Sequence, residues 1–217
     1  MVKMNQQRAT RTVRRRYDRI APLYDAIMRA VERGKAVEWR SLLWQRVEGR
    51  DILEVGTGTG LNFLYAGAAP ADGRSITAID LSDGMLRRAR ARAAAARLQV
   101  TFRQMDVQAL DFRDDSFDTV IGSFLFCSVP DPLLGLREVR RVCRPGGRVV
   151  LLEHGLSRDR RLAWLMNLVS PAIFWITGAE RINRKIEEDI GRSGLRLENV
   201  IPLDRTGIFK LVEARKG

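Results

Sequence analysis

The chain has one histidine and two cysteines in 217 residues. Structural and catalytic zinc centres draw most of their ligands from those two residue types, so the usual His/Cys zinc sites are excluded, and no calcium-loop pattern occurs. No metal is expected. The cysteines, Cys127 and Cys143, stand among apolar neighbours and read as buried thiols of a reducing compartment. No run of ~20 apolar residues is present, which excludes an ordinary membrane-spanning helix. The basic opening MVKMNQQRATRTVRRR lacks the apolar stretch of an export signal, so a cytoplasmic location is expected. What remains is a globular balance of 45% hydrophobic and 29% charged residues. That suffices for one α/β domain with a sizeable core.

Negative charge is scarce at the front of the chain. The formal net charge is +12, and residues 1–50 hold 13 Lys and Arg against 5 Asp and Glu. Such a basic arm suits an anionic surface, either nucleic acid or the inner face of a membrane; solubility is the plain alternative. Ile20, Leu23, Tyr24, Ile27, Met28 and Val31 recur at helical spacing, so an amphipathic helix is expected from Ile20, with Pro22 near its first turn and Gly34 as its stop. A second helix is expected over about 36–47. Residues 1–50 then read as a cap on a domain spanning 51–217.

The segment DILEVGTGTG, Asp51 to Gly60, runs a buried strand into glycines at every second position. Gly56, Gly58 and Gly60 leave space for a ligand against the backbone, and a helix is expected from about Leu61. A dinucleotide fingerprint would need a third glycine where Leu61 stands, and a phosphate-binding P-loop would need a following lysine. Glu54, directly before the turn, would repel a phosphate. Further strands are expected at 75–79, 100–105, 117–123, 148–152, 195–203 and 207–214. Asp80 ends the second strand, 20 residues beyond Gly60, the place of an acidic residue on ribose hydroxyls in nucleotide-binding βαβ units. Asp106 ends the third, with Val107 behind it. Ser123 and Phe126 are expected to face the crevice at the strand ends, and His154 ends the fifth strand on that side.

The pattern E-x-G-x-G-x-G, with LREVRRVCRPGGRVVLLEH downstream, resembles the class I S-adenosylmethionine (SAM) methyltransferases over residues 51–154. The resemblance implies a Rossmann-like, seven-stranded, mostly parallel sheet with the last strand antiparallel and helices on both faces. It adds an N-terminal helical extension and a helical insert, 156–190, between strands 5 and 6. It implies SAM as cofactor and S-adenosylhomocysteine (SAH) as product. Cofactor contacts would come from Tyr17, Glu54, Gly56, Thr57, Gly58, Gly60, Asp80, Leu81, Met85, Asp106, Val107 and Ser123. The entry RRRYDRIAPLYD is similar to that of bacterial phosphatidylethanolamine N-methyltransferases and the related ubiquinone/menaquinone C-methyltransferases, while FLFCSVPDP and LLEH are similar to membrane-associated thiol methyltransferases. By that likeness Tyr24 and His154 are the catalytic candidates, and Tyr17, Tyr24, Phe126, His154 and Arg181 the acceptor contacts. Tyrosines that merely pack helices and a structural histidine are the plain alternatives.

The insert contains LAWLMNLVSPAIFWIT, Leu162 to Thr177, with no charge and with arginines at 158, 160, 161, 181 and 184 around it. It reads either as an interfacial helix or as a lid over the acceptor pocket. A phospholipid or other lipophilic acceptor at an anionic membrane surface is therefore expected, with the protein peripheral on the inner face. An RNA methyltransferase and a non-catalytic SAM-fold protein are the other classes. No RNA-binding module is recognisable, and no specific nucleic acid partner is expected.

Overall fold

A computed structural model describes residues 2–32, 34–66, 73–177 and 181–217, and side chains from Gln6 onward except those of 176 and 177. Residues 178–180 of the expected insert lie outside the described residues. Seven strands form one sheet: β1 (Asp51–Val55), β2 (Ser75–Asp80), β3 (Val100–Gln104), β4 (Phe117–Ser123), β5 (Cys143–His154), β6 (Leu195–Pro202) and β7 (Phe209–Lys216). Their order is β3-β2-β1-β4-β5-β7-β6. β1 pairs in parallel with both β2 and β4, and β7 pairs antiparallel with both β5 and β6. The expected Rossmann-like sheet with one reversed strand is thus present.

The strands read as continuous apolar runs because both faces are covered. Neighbouring residues point to opposite faces. Leu53, Val120 and Leu151 pack with α5 (Pro132–Val142) and α7 (Ile186–Ser193). Ile52, Ile121 and Leu152 pack with Trp39, Leu43 and Trp44 of α3 (Ala36–Gln45) and with Ala89 and Ala93 of α4 (Asp83–Ala95). Chain order reverses at β1 and β4: β1 leads to β2 and β3 on one side, β4 to β5 on the other. The crevice outside their carboxyl ends is where open α/β sheets bind ligands.

Several expected boundaries move. The arginine-rich arm is itself a 19-residue helix, α1 (Val2–Ile20). The following helix, α2 (Tyr24–Glu32), begins at Tyr24 rather than Ile20, because Pro22 sits in the turn between them. Among the described residues the glycine loop is followed by a four-residue 3₁₀ turn at Leu61–Leu64 where a helix was expected. Arg144 to Gly147 does not form a separate loop. It lies in the irregular start of β5, where the register against β4 shifts between Phe117 and Thr119. The insert forms α6 (Arg160–Thr177), and no described helix is long and apolar enough to cross a membrane.

Candidate active site

At the end of β1 the chain turns through Gly56 and Gly58, both in the left-handed region, and Thr57 N donates to Ile79 O at 2.9 Å, tying the loop to β2. A side chain at Gly56 would meet Leu125 at 2.6 Å. Gly60 serves a different purpose. A Cβ there would meet the Phe63 ring at 2.6 Å and the Ala89 backbone at 3.1 Å, so Gly60 lets α4 approach the turn and does not line the cavity.

That cavity, about 630 Å³ and partly open, lies over the loop. Asp80 stands in its wall with one carboxylate oxygen accepting from Gly58 N and the other from Ser82 N, each at 2.8 Å. A carboxylate has about four lone-pair sites, so Asp80 keeps acceptor capacity for two further hydroxyls. Burial is the main cause that pushes its pKa up to about 6; the backbone hydrogen bonds oppose this and the Asp18 charge adds to it. Across the cavity Asp106 accepts from Gln108 N at 2.9 Å, from the Gln108 amide at 3.0 Å and from Thr10 of α1 at 3.2 Å. Leu81, Met85, Met105 and Val107 supply apolar wall between the two carboxylates.

Helix α1 lies across this cavity and contributes Val13 and Tyr17, while Tyr24 comes from the first residue of α2. The two tyrosine rings meet edge to face, 6.3 Å between centroids. Each tyrosine is followed by an aspartate that fastens its helix to the sheet domain. Asp18 accepts from Ser82 Oγ at 2.6 Å and from Gly84 N at 3.1 Å, while Ser82 Oγ accepts from Met85 N, so Asp18 extends the N-cap of α4. Asp25 accepts from Thr59 Oγ1 at 2.6 Å and from Arg92 Nη2 at 2.5 Å, which ties α2 to the glycine loop. The repeated Tyr-Asp pair was visible in the sequence, but the clamping role of its aspartates was missed.

The opposite wall follows β4. Ser123, Phe124 and Leu125 line the cavity, with Phe124 at φ +52°, a left-handed conformation uncommon for an aromatic residue. Phe124 N donates to Leu152 O at 2.8 Å, and buried Glu153 accepts from Leu125 N and Phe126 N at 2.8 and 2.9 Å, which holds the strained turn. This turn corrects two expectations. Phe126 points away from the crevice, buried in the core with its ring against Gly135 of α5. His154 does not line the cavity either. Its ring sits beside Phe124 and Phe209, 6.3 and 6.4 Å between centroids.

Glu54 and Thr57 lie beneath the loop rather than in the main cavity. Glu54 accepts from Asn62 Nδ2 at 2.7 Å, and Asn62 Oδ1 in turn accepts from buried Arg40, which pairs with buried Glu32. Burial drives the Glu54 pKa up to about 7 against these hydrogen bonds. With Thr57, Ser123 and Tyr24, Arg40 and Asn62 line a small polar chamber under the glycine loop. Arg181 is also outside the main cavity, with its guanidinium 4.5 Å above the Phe174 ring of α6.

Residues 53–151, which hold the glycine loop, Asp80, Asp106 and the β4 turn, match a family model described as a methyltransferase domain. The chain carries a methyltransferase domain. A phosphatidylethanolamine N-methyltransferase from Cereibacter sphaeroides is 44% identical over 115 residues, 52% of this chain and 54% of that protein. The ubiquinone/menaquinone biosynthesis C-methyltransferase UbiE of Geobacter sulfurreducens is 34% identical over 155 residues, 68% of this chain and 60% of that protein. The chain spans between half and two thirds of the length of these curated relatives. A solved SAM-dependent methyltransferase from Thermotoga maritima superposes with a TM-score of 0.71 at 16% identity, covering 94% of this chain and 100% of that one, a likeness of fold.

The methyltransferase domain has the donor set that SAM requires. Asp80, half-buried and without a cationic partner among the described residues, suits two ribose hydroxyls. Gly56 and Gly58 leave room for the amino-acid end, and the apolar wall of Met85 and Val107 beside Asp106 suits a purine. Among the described residues no group of three His, Cys, Asp or Glu could hold a metal ion.

Proposed function

We propose that the protein transfers the methyl group of SAM to a membrane-derived amphiphile, with the amine of phosphatidylethanolamine as first acceptor. The observation that carries this reading is where the cavity lies: it runs beneath basic α1 and continues toward an α6 whose outer face is apolar. Arg8, Arg11, Arg15 and Arg19 are exposed on α1. Trp164, Leu165, Leu168 and Trp175 of α6 are exposed too, the two tryptophans at 67% and 85%. Their spacing places them on one face of the helix, with the tryptophans ~16 Å apart along its axis. Apolar faces edged by tryptophan and arginine seat helices at headgroup level, so the protein sits on the inner membrane face as a peripheral protein.

SAM supplies a methyl group on a sulfonium centre, open to in-line displacement. The chain's own work is positioning and exclusion of water. Asp80 holds the ribose, the glycine loop the amino-acid end, and Asp106 with Leu81, Met85 and Val107 the adenine. Tyr17 and Tyr24, clamped by Asp18 and Asp25, close the cavity over the reacting centre. An amine acceptor must arrive unprotonated, its proton already released to water, and the Tyr24 hydroxyl is the proposed contact that accepts a hydrogen bond from the amine N–H and so orients its lone pair. His154, stacked beside Phe124, helps to shape that wall. Methylation of a quinone ring carbon is the second reading, favoured by the greater length of this chain matched by the UbiE relative.

Calorimetry with SAH tests the cofactor half of the proposal. Asp80→Ala removes two charge-assisted hydrogen bonds worth ~1.5–3 kcal/mol each, so affinity should fall by about 100-fold or more in a protein that still melts cooperatively. An unchanged affinity in the folded variant would remove the assignment.

A further inference from the structure

A second cavity, about 940 Å³, adjoins the first: Val13, Ser128, Val129 and Pro130 line both. Its remaining walls include Phe174 and Trp175 of α6 and the residues Arg181 and Arg184. Arg40, Arg92, Arg141, Arg144 and Arg148 all pair with carboxylates. Among the described residues, neither Arg181 nor Arg184 has a carboxylate within ion-pair distance.

Both are held in place without one. Arg181 N donates to Cys127 O at 3.0 Å and its guanidinium rests on the Phe174 ring at 4.5 Å. Arg184 Nη2 donates to Val129 O at 2.8 Å, its backbone O accepts from Leu156 N at 2.9 Å, and its Nε is buried with no hydrogen-bond partner. Burial, and then the neighbouring Arg181 charge, push the Arg184 pKa down. Two like charges fixed beside one another, one with a buried idle donor, fit an anion between them. The planar fork of guanidinium matches phosphate oxygens in pairs. The aromatic wall next to them fits the apolar part of the same molecule.

We infer that this second chamber is the acceptor site and takes a phosphate-bearing amphiphile, its phosphate between Arg181 and Arg184 and the first part of its acyl chains along Phe174 and Trp175. The inference rests on the methyltransferase reading and narrows it, because a neutral quinone offers these arginines no anion.

The test uses the full chain loaded with SAH and titrated with dihexanoyl phosphatidylethanolamine below its micelle concentration. Dihexanoylglycerol serves as the uncharged control and glycerophosphoethanolamine as the headgroup alone. Arg181→Gln and Arg184→Gln should each weaken the phospholipid by about 10-fold or more, the loss expected for a hydrogen bond to a charged group, with Arg184→Lys intermediate. In turnover the loss should appear in KM more than in kcat. SAH affinity should be the same in all variants, which also certifies their fold; if Arg184→Gln loses it, Arg181→Gln on the solvent side decides. Phospholipid affinity unchanged in a variant that binds SAH overturns the anion site, as does tighter binding of the uncharged glyceride. Headgroup binding as tight as phospholipid overturns the apolar half. A wild-type protein that fails to bind SAH instead overturns the methyltransferase reading itself.

Discussion

Four carboxylates around the site are tuned in opposite directions, and each has a consequence with pH. Asp80 and Glu54 are raised, to about 6 and about 7, first by burial. The stability they contribute is present at low pH and lost as pH rises through those values, because their ionised forms are poorly hydrated. Asp18 and Asp25 run the other way. Burial pulls them up, but hydrogen bonds from Ser82 and Gly84 to Asp18, and from Thr59 and Arg92 to Asp25, outweigh it and lower both. Their contribution is present above the unfolded carboxylate value and lost as pH falls through the folded one. The cofactor-free protein should therefore melt highest at about pH 4–4.5, lower at about pH 8 and lower again well below about pH 4. SAH affinity should behave differently and weaken below about pH 6, since ribose hydroxyls donate to ionised Asp80 and not to its neutral form. Thermal melts and calorimetry across this range check both signs. A melting temperature that climbs steadily from pH 5 to about 8 would contradict the assignment of the raised pair.

Among the elements, those whose pattern follows local rules were legible. The β-strands at 51–55, 75–80 and 117–123 showed as apolar runs ending in a glycine, an aspartate and a serine, and those ends build the site. Legibility failed where the facing of a side chain depends on an unusual turn or on register. Positive φ at Phe124 swaps the facing of the next residues, so Leu125 lines the cavity and Phe126 fills the core. At the end of β5 the histidine drew attention, while the glutamate before it holds the turn. Of helix α1 the sequence singled out the charge and Tyr17, while its packing across the cavity was missed, because its inward residues, Thr10, Val13 and Tyr17, form no apolar stripe; its contacts with Asp106 and Ser82 are polar and nonlocal. Outward, α1 and α6 offer charge and apolar surface separately, which vesicle flotation can resolve. Replacing Arg11 and Arg15 with Gln should reduce binding to anionic vesicles by about 10-fold or more, at ~1 kcal/mol per arginine, and raised salt should mimic it. Trp164→Ala with Trp175→Ala should reduce binding at any salt, as apolar contacts are not screened. Equal flotation of all forms would leave both helices without a membrane role.

At the scale of the whole molecule, the strand ends of the sheet carry the residues proposed for the cofactor, while the helices before β1 and between β5 and β6 shape the two cavities. This division explains why the methyl donor was readable from a few residues around Gly56, Asp80 and Asp106. The acceptor was not, because the chamber proposed for it is assembled from α1, the loop after β4 and the chain beyond α6, three segments well separated in the sequence. The net charge of +12 reinforces the same surface, since α1 carries its exposed arginines beside the cavity. The most direct measurement is incubation of the full chain with methyl-labelled SAM and mixed vesicles of phosphatidylethanolamine and phosphatidylglycerol, followed by mass analysis of the lipids. The account predicts label on the ethanolamine nitrogen, lost in Asp80→Ala and reduced in Tyr24→Phe. Label appearing only in added RNA or in a quinone precursor, with the phospholipid unchanged, would contradict it.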